Sequence, residues 1–403
     1  MANVSGMSVC YGCGVCAMAC GKHLIRMEMS PDGFYVPRIE NLNDCIDCGL
    51  CVSVCSYSKS TLAVSNHPLL SLGAWSKDPL VRRKSSSGGV CYEFERYLLE
   101  KGYKICLVRY NTNLARAEHY VADSIEDLVQ GLGSKYIQSY TLDAFLSFSK
   151  GEKYLVVGSP CQIDSLRRYL VKFKREDDFV LIDFFCHGVP SSILWKKYLD
   201  KIESQMGKPA YISWRNKYTG WHDSYAMLMA GPDYDFHGEF SLDENREGFF
   251  YSRYSQGDAF YTMFLGDACF NKACYSKCKY KYDQSSADVR VGDFWGNTYK
   301  MNEDGVSSVV AFTDKGIELV VSSNIEKKEY PFPVVAEGQM KNSLEYSSMH
   351  AKIFDSLKTK DSLDEVVAYQ NRLNRVENWK NRLKNPHKVF SKLVGKMIYR
   401  LKK

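Results

Sequence analysis

Two identical arrangements of four cysteines near the N-terminus limit what this chain can fold into. Each follows the pattern C-x2-C-x2-C-x3-C, and the second begins 35 positions after the first. With this spacing, three thiolates can wrap one iron–sulfur cubane while the fourth points away from it. Zinc sites use two C-x2-C pairs and give no role to a duplicated run of four. The eight candidate ligands are Cys10, Cys13, Cys16, Cys20, Cys45, Cys48, Cys51 and Cys55.

The fourth cysteine of each quartet predicts a crossed arrangement of two 4Fe–4S clusters, because in two-cluster ferredoxins it binds the other cluster. One cluster is then assigned to Cys10, Cys13, Cys16 and Cys55, and the other to Cys45, Cys48, Cys51 and Cys20. Gly21 and Ser56 stand where a proline commonly follows the fourth cysteine. This difference affects the rigidity of the loops and leaves all eight ligands in place. Between the quartets, a Ser-Pro-Asp-Gly sequence at residues 30–33 predicts a β-hairpin.

The cysteine content also indicates the compartment. Eight of the 15 cysteines lie in the two quartets, which argues against a secreted disulfide scaffold. The first residues lack a basic stretch followed by an apolar core, and no run of about 18 apolar residues occurs. We therefore expect a cytoplasmic protein without a signal peptide or a membrane-spanning helix.

Positive charge is concentrated at the C-terminal end. Residues 371–403 contain eleven Lys or Arg and one acidic residue, so the rest of the chain is slightly acidic although the net charge is +6. We therefore expect no nucleic-acid binding by the fold. Within residues 386–403, apolar residues recur at three- and four-residue steps between lysines, which predicts a basic amphipathic helix. Such a helix can lie on the inner face of the membrane or pack against its own protein.

The middle of the chain carries two strand–loop–helix patterns. Residues 153–157 and 179–185 are predicted strands, followed by loops containing Cys161 and Cys186 and then by helices at 163–170 and 193–202. Both thiols would then lie at the carboxyl edge of a parallel or mixed α/β sheet. Buried structural thiols are the alternative. Further on, residues 305–321 predict two strands on either side of Asp314-Lys315-Gly316.

Two turns rich in serine and glycine are candidate anion-binding sites. Residues 85–89 directly precede a predicted helix at 90–100, whose free amides attract anions. A plain helix cap with a flexible serine linker is the alternative there. Residues 131–136 form a second turn that includes a lysine, suited to a phosphate or a flavin, or simply to a turn. The residues concerned are Ser85, Ser86, Ser87, Gly88 and Gly89, and then Gly133, Ser134, Lys135 and Tyr136.

Taken together, these motifs resemble the coenzyme F420 hydrogenase/dehydrogenase beta-subunit family over residues 10–321. The motifs that carry the resemblance are the two quartets, both turns, Gly158-Ser159-Pro160-Cys161-Gln162, Cys186-His187-Gly188-Val189-Pro190-Ser191 and Gly292-Asp293-Phe294-Trp295. The resemblance implies an iron–sulfur flavoprotein that binds FAD through the two turns. It also implies transfer of electrons between clusters and an organic compound. The variety most similar to this chain is the bacterial stand-alone one, associated with surface polysaccharide genes.

The remaining cysteines and one histidine complete the candidate site. Cys161, Cys186, Cys274 and Cys278, with Cys269 as an alternate, either bind a further cluster beside the flavin or are buried structural thiols. His187 follows Cys186 and is the candidate for catalytic proton delivery, with a hydrogen-bonded core histidine as the alternative.

The predicted architecture is multidomain, combining α+β and α/β parts. We expect a two-cluster ferredoxin domain at 1–66, a flavin-binding region at 67–150, an α/β region at 151–330 and a helical extension with the basic tail at 331–403. The expected partners are an external electron carrier (a ferredoxin-like protein or a reduced coenzyme) and a small organic substrate. The alternative function is a non-catalytic electron-transfer subunit of a larger complex.

Overall fold

The computed structural model describes residues 3–232, 249–275, 277–359 and 362–384. The predicted basic helix at 386–403 lies outside these residues. None of the helices within them is long and apolar enough to cross a membrane.

The N-terminal part is a ferredoxin-type domain built from two short helices and a hairpin. Each helix contains the third cysteine of a quartet and begins at a glycine, Gly14 or Gly49, with φ of 74° or 71°. This left-handed conformation favours glycine, which explains why both quartets carry one there. The predicted hairpin is confirmed, with Ile25 paired to Ile39 and Met29 to Tyr35. The elements are α1 (Val15–Met18), β1 (Ile25–Met29), β2 (Tyr35–Ile39) and α2 (Leu50–Ser53).

The body follows as one long alternation of strands and helices. In chain order its elements are β3 (Leu70–Ser76), α3 (Pro79–Lys84), α4 (Val90–Glu100), β4 (Lys104–Asn111), β5 (Arg116–Ala122), α5 (Ile125–Val129), β6 (Ser139–Tyr140), α6 (Leu142–Leu146), β7 (Tyr154–Val157), α7 (Pro160–Phe173), β8 (Phe179–Phe184), α8 (Ser192–Met206), β9 (Tyr211–Ser213), β10 (Ala226–Ala230), β11 (Phe249–Arg253), α9 (Ala259–Leu265), β12 (Val289–Asp293), β13 (Ser307–Ala311), α10 (Asp314–Ser322), β14 (Ile325–Glu329), α11 (Phe332–Val335), α12 (Ser348–Lys358) and α13 (Leu363–Lys384).

Nine of these strands form one mixed sheet, in the order β14-β3-β13-β12-β8-β7-β4-β5-β6. Its centre is parallel, because β4, β7, β8 and β12 run in the same direction, whereas β13, β3 and β14 at one side each pair antiparallel to the preceding strand in that order. The expected mixed α/β body is thus confirmed. The sheet takes strands from both sides of residue 150, where the sequence suggests a boundary.

A second core lies beside this sheet. The short strands β9, β10 and β11 form a separate antiparallel sheet. Helices α8, α9, α12 and α13 pack on it through large apolar side chains that include Trp195, Phe260 and Ile353. Burial of many aromatic groups at once gives this lobe a large apolar core, so α12 and α13 are integral to the body.

Two local expectations need correction. Cys161 lies in the first turn of α7, where Pro160 opens the helix and Ser159 with Gln162 forms a capping box, and not in a preceding loop. The second strand predicted within 305–321 is wrong, because residues from Asp314 onward form α10. The Thr313 side chain accepts the N–H of Gly316 and starts that helix. Apolar β-branched residues in this stretch gave a misleading strand signal.

The hairpin of the ferredoxin-type domain is seated on the body. Ser192 donates its N–H to the carbonyl of Gly33 at 3.0 Å, and the Ser191 hydroxyl donates to the carbonyl of Asp32 at 2.7 Å. Lys358 on α12 pairs with the Asp32 carboxylate at 2.5 Å. A Cβ at Gly33 would collide with the Ser191 hydroxyl. The turn therefore fits tightly against the start of α8.

Candidate functional site

The first three cysteines of the first quartet lie with Cys55. Burial, followed by the neighbouring charge of Cys13 and also that of Cys55, raises the pKa of Cys10 to about 12. Burial and the charges of Cys13, Cys10 and Cys55 likewise raise the pKa of Cys16 well above its usual value. These effects require the four thiols to be close together. We call Cys10, Cys13, Cys16 and Cys55 the inner quartet.

The other four thiols lie further from the body. Burial raises the pKa of Cys51, and the charges of Cys48 and Cys20 raise it further. Cys20 therefore lies with the second quartet, as Cys55 lies with the first. Cys48 is exposed, whereas Cys51 is buried. We call Cys20, Cys45, Cys48 and Cys51 the outer quartet.

The donor set suits iron–sulfur clusters. All eight thiols are free of disulfides. Crowded buried thiolates repel one another, so a cationic iron cage would stabilise them. Gly12 donates its N–H to the sulfur of Cys10 at 3.3 Å, the kind of bond that tunes a cluster potential. No three His, Cys, Asp or Glu side chains in the described ranges converge closely enough for a single metal ion, whereas cubane thiolates each bind a different iron.

The inner quartet faces the body through hydrogen bonds to its backbone. The Asn271 amide donates to the carbonyl of Cys10 at 2.9 Å, and the Thr141 hydroxyl donates to the carbonyl of Cys13 at 2.9 Å. After Cys55, Ser56 donates its N–H to the hydroxyl of Ser165 at 3.2 Å. The body thereby determines the position of the inner quartet.

A cavity of about 390 Å³ opens next to this junction, at the carboxyl ends of β7, β8 and β12. Ligands of open α/β sheets bind at this edge. Sequence motifs that lie far apart in the chain meet in its wall: Ser85, Ser86, Ser87 and Gly89, then Gly133, Ser134, Lys135 and Tyr136, then Gly158, Ser159 and Cys161, then Cys186, His187 and Gly188, and finally Gly292, Asp293 and Trp295.

The serine–glycine turn presents an open helix end to the cavity. Helix α4 begins at Gly89, with φ of 82°, and no side chain caps it. Its first amides are therefore available to an anion such as a pyrophosphate. Ser134 donates its N–H to the hydroxyl of Ser86 at 2.8 Å, which joins the two turns. Gly88 packs behind the turn, where its N–H donates to the Ser307 hydroxyl at 3.0 Å.

Two lysines support these turns through bonds to backbone carbonyls. The buried Lys217 ammonium donates to the carbonyls of Ser87 at 2.7 Å and Asp304 at 2.6 Å. The Lys135 ammonium donates to the carbonyls of Gly131 at 2.8 Å and Gly133 at 3.0 Å. Burial lowers the pKa of Lys135 to about 7. Contact between Lys135 and a phosphate would therefore require it to leave the bonds that close its own turn.

A buried ion pair supports another part of the wall, to which Asp293 belongs. Arg215 and Asp293 lie 2.8 Å apart, and Trp221 donates its indole N–H to Asp293 at 2.8 Å. The guanidinium also donates to the Tyr136 hydroxyl at 3.1 Å and lies 4.4 Å above the ring of Tyr225. Tyr136 and Asp293 belong to separate sequence motifs, and only the fold brings them together.

His187 lies in the cavity wall with an acidic partner. Its Nε2 donates to the Asp267 carboxylate at 2.6 Å, and its ring packs against both Phe264 and Phe270. Lys281 donates to the His187 carbonyl at 2.9 Å, which holds the backbone in place. Sequence reasoning missed Asp267, which is an isolated acid with a left-handed φ of 56° in the structure.

Four further thiols gather between the inner quartet and the cavity. Burial, together with the charges of Cys186, Cys274 and Cys13, raises the pKa of Cys161 well above its usual value. Burial, then Cys186 and Cys278, raises the pKa of Cys274 to about 12. Cys161 and Cys186 also line the cavity. For Cys269, burial alone raises the pKa to about 12, which separates it from this group.

Three family models match the chain. One is described as a 4Fe-4S dicluster domain and matches residues 9–59. The other two are described as coenzyme F420 hydrogenase/dehydrogenase, beta subunit, N-term over residues 71–145 and C terminus over residues 151–330.

One curated relative and one solved structure resemble the chain more distantly. Over 167 residues the chain is 28% identical to the coenzyme F420-dependent sulfite reductase of Methanocaldococcus jannaschii, a match that covers 40% of this chain and 25% of that protein. The chain thus spans about a quarter of that relative's length. A chain of the F420-reducing NiFe hydrogenase complex from Methanosarcina barkeri aligns over 76% of this chain and 91% of its own, with 16% identity and a TM-score of 0.44.

Proposed function

Because the chain belongs to the coenzyme F420 hydrogenase/dehydrogenase beta-subunit family, we propose that it is an FAD-dependent oxidoreductase that passes electrons between an external carrier and a small organic compound. The family carries out iron–sulfur redox electron transfer. The observation that carries the proposal is the convergence of all the motifs on one cavity beside the inner quartet.

The two quartets are the proposed ligands of two 4Fe–4S clusters. The inner one would be held by Cys10, Cys13, Cys16 and Cys55, and the outer one by Cys20, Cys45, Cys48 and Cys51. Such clusters carry single electrons at potentials set by hydrogen bonding and burial. The inner quartet is hydrogen-bonded to the body, whereas the outer quartet includes the exposed Cys48. This difference in exposure supports electron exchange between the outer quartet and a carrier, and between the inner quartet and the cavity.

The cavity is the proposed FAD site. The open N-terminus of α4 at Gly89 suits the pyrophosphate, with Ser85 and Ser86 supplying hydroxyls beside it, whereas the Ser87 hydroxyl donates to the carbonyl of Val306 at 2.8 Å. Apolar and aromatic side chains further inside suit a ring system. FAD supplies hydride chemistry with organic compounds, which a protein alone cannot provide.

His187 is the proposed proton donor or acceptor. It lies in the cavity wall, and Asp267 receives the hydrogen of Nε2 at 2.6 Å. The carboxylate therefore orients the ring. Lys281 fixes the backbone at the same residue. His187 can thus hold a proton in the wall of the cavity.

We add a third 4Fe–4S cluster to the proposal, held by Cys161, Cys186, Cys274 and Cys278. The mutual effects of these thiols on their pKa values support it, as does the influence of Cys13 on Cys161. Iron and acid-labile sulfide per chain provide the test. About twelve irons support three clusters, and about eight irons leave only the two quartets occupied.

Anaerobic purification tests the function as a whole. We expect a brown protein with the broad visible absorbance of iron–sulfur clusters, which releases yellow FAD on boiling. Material that is colourless, or brown without flavin, contradicts the proposal. Reduction of the flavin by a reduced carrier, including reduced coenzyme F420, then establishes the direction of electron flow. We propose surface polysaccharide metabolism as the setting of the organic substrate, and this part of the proposal rests on the family resemblance alone.

An electron-transfer subunit without its own substrate is the second candidate. Trp379 and Leu383 on α13 are 64% and 62% exposed, which supports a partner surface on the body. An isolated chain that reduces dyes but no metabolite of a cell extract, and that co-purifies with a larger complex, favours this candidate.

A further inference from the structure

The loop that carries Cys45 and Cys48 is turned away from the body. Every residue from 40 to 48 is exposed except Cys45, which is half-buried. The inner quartet, in contrast, is held against the body by Asn271 and Thr141. The outer quartet therefore meets solvent through this loop, which we call the outer loop (residues 40–48).

Two apolar side chains stand out from the outer loop. Ile46 is 68% exposed and Leu42 is 56% exposed. Among the described residues, Met301 is the only large hydrophobic side chain more exposed than Ile46. A single exposed apolar residue is ordinary, but here two lie in one loop, with Ile46 two positions before the exposed Cys48. Apolar contact at the centre and polar groups around it are typical of protein interfaces.

The rest of the outer loop is acidic. It contains Glu40, Asp44 and Asp47 and no Lys or Arg. Glu40 pairs with Arg26 on β1. In the part of the chain that the structure describes, the carboxylates of Asp44 and Asp47 accept from neutral amides, those of Asn41 at 2.8 Å and Asn3 at 2.6 Å, and form no ion pair. Two uncompensated negative charges therefore flank the apolar pair.

Local bonds hold this loop in one conformation. The Asn3 amide that binds Asp47 also lies 3.7 Å from the sulfur of Cys45. Asp47 itself has a left-handed φ of 48°, which this contact stabilises. The Asn41 side chain caps the 3-10 turn Leu42–Asp44. A preorganised loop loses little conformational freedom when a partner binds.

We infer that the outer loop is the docking surface for a one-electron carrier protein that presents basic residues around an apolar centre. The inference rests on the proposed function, since it places the carrier beside the site held by the outer quartet. The acidic side chains steer the carrier and Ile46 excludes water at the contact. One electron passes per encounter, so that the donor is oxidised and the acceptor reduced by one, and no bond forms or breaks. An acidic carrier would be repelled.

Oxidised cytochrome c, a basic one-electron acceptor, is the probe. The variants are Ile46→Lys, the double variant Asp44→Asn with Asp47→Asn, and Met301→Lys as the matched control on the body. Binding of cytochrome c to the oxidised protein is measured by calorimetry at low ionic strength. Reduction of cytochrome c is measured by stopped flow after anaerobic photoreduction of the protein.

We expect Ile46→Lys and the double variant each to weaken binding and to slow reduction by about tenfold or more, and Met301→Lys to match the wild type. The wild-type rate falls as salt is added. Ferricyanide, which is an anion, oxidises the reduced Ile46→Lys protein as fast as the wild type or faster. Opposite effects on a cationic protein and a small anion distinguish docking from damage to the outer quartet.

Cytochrome c that binds and reacts equally with the wild type and both loop variants overturns the inference. So does an equal loss in Met301→Lys. Visible absorbance separates this failure from that of the proposed function. A colourless wild type removes the function itself, whereas a brown protein indifferent to the loop variants removes the docking surface alone. If the Ile46→Lys protein loses its visible absorbance, the double variant provides the test of the docking surface instead, because its new side chains have nearly the same shape as the original ones.

Discussion

Arg215 and Asp293 form a buried ion pair, with Nη1 2.8 Å from Oδ2, and Asp293 lines the cavity. Arg215 follows β9 of the small sheet, and Asp293 ends β12 of the large one. The pair therefore connects the two cores at the edge where the motifs meet. Trp221 and Tyr136 bond to the same two side chains, so that the connection is a network and not a single contact.

Replacing Asp293 tests this connection. Asp293→Asn leaves the Arg215 guanidinium, which is 2% exposed, without its counter-charge. We expect the free energy of unfolding to fall by about 3–5 kcal/mol, the usual result of breaking a buried pair from one side. Urea denaturation measures it. The control is Asp200→Asn at the exposed pair with Lys196, where we expect a loss below about 1 kcal/mol. Equal losses at the two sites contradict the prediction.

The crossed arrangement of thiols predicts how cysteine variants group. Cys55→Ser should perturb the same electron paramagnetic resonance signal as Cys10→Ser, because both thiols belong to the inner quartet. Cys20→Ser should instead perturb the signal that Cys48→Ser changes. Spectra of the dithionite-reduced variants provide the measurement. If Cys55→Ser and Cys48→Ser affect one signal while Cys10→Ser affects another, the grouping is wrong.

His187 is expected to matter for turnover and not for folding. His187→Asn removes the group that can hold a proton beside the cavity, and we expect turnover with a reducible acceptor to fall by about 10²-fold or more. Flavin content and visible absorbance should stay unchanged. His222→Asn is the matched control, since His222 lies at the surface against Glu303. A His187→Asn protein with full turnover rules out the role.

His119 gives the chain a pH dependence below neutrality. Its Nε2 must carry the hydrogen, because it lies 3.0 Å from the carbonyl of Val157, which can only accept. Burial lowers the pKa of His119 from 6.5 to about 4. The unfolded chain therefore takes up a proton below pH 6.5 while the folded chain does not. The contribution of His119 to the free energy of unfolding is fully present above that pH and is lost as the pH falls towards 4.

We expect the contribution of His119 to lower the free energy of unfolding by about 1.4 kcal/mol as the pH falls from 7.5 to 5.5. His119→Gln keeps an amide donor and should lose that part of the pH dependence. Urea denaturation at the two pH values measures the difference, with His222→Gln as the surface control. A variant that retains the whole slope of the wild type would contradict the assignment.

The basic segment at 386–403 is expected to bind anionic membranes. The full chain should sediment with vesicles that contain phosphatidylserine, and a chain ending at Asn385 should not, because each lysine near such a surface adds about 1 kcal/mol. Vesicles of phosphatidylcholine alone are the control. If the shortened chain sediments as the full chain does, the segment has no such role.

Local patterns gave the parts of the site that depend on nearby residues. The cysteine spacing gave the candidate ligands, and Val90–Glu100 is helical as its periodicity predicts. The two cysteines at 161 and 186 lie at one sheet edge because β7 and β8 are parallel neighbours. Predicting this placement requires only the general rule that the carboxyl ends of parallel strands meet at one edge of an α/β sheet.

The sequence alone does not predict which residues far apart in the chain will pair with each other. Asp267 lies 80 positions from His187, and Asp293 lies 78 positions from Arg215. Each is one acid among many, and only the folded chain selects it. For Lys135, a cation in a glycine-rich turn predicts a ligand contact, and the structure adds that its ammonium bonds to the carbonyls of the turn while the residue lines the cavity. A single sequence does not show which acceptors a flexible side chain will reach.

The seating of the hairpin turn on α8 affects how the protein works. Gly33 leaves no gap at Ser191, and Lys358 clamps the neighbouring Asp32. The ferredoxin-type domain is therefore not a tethered shuttle that must swing between a loading and an unloading position. The distance from the inner quartet to the cavity is constant, so the rate of internal electron passage should not depend on solvent viscosity. In the proposed reaction, diffusion of the outside carrier is then the step that solvent viscosity would slow.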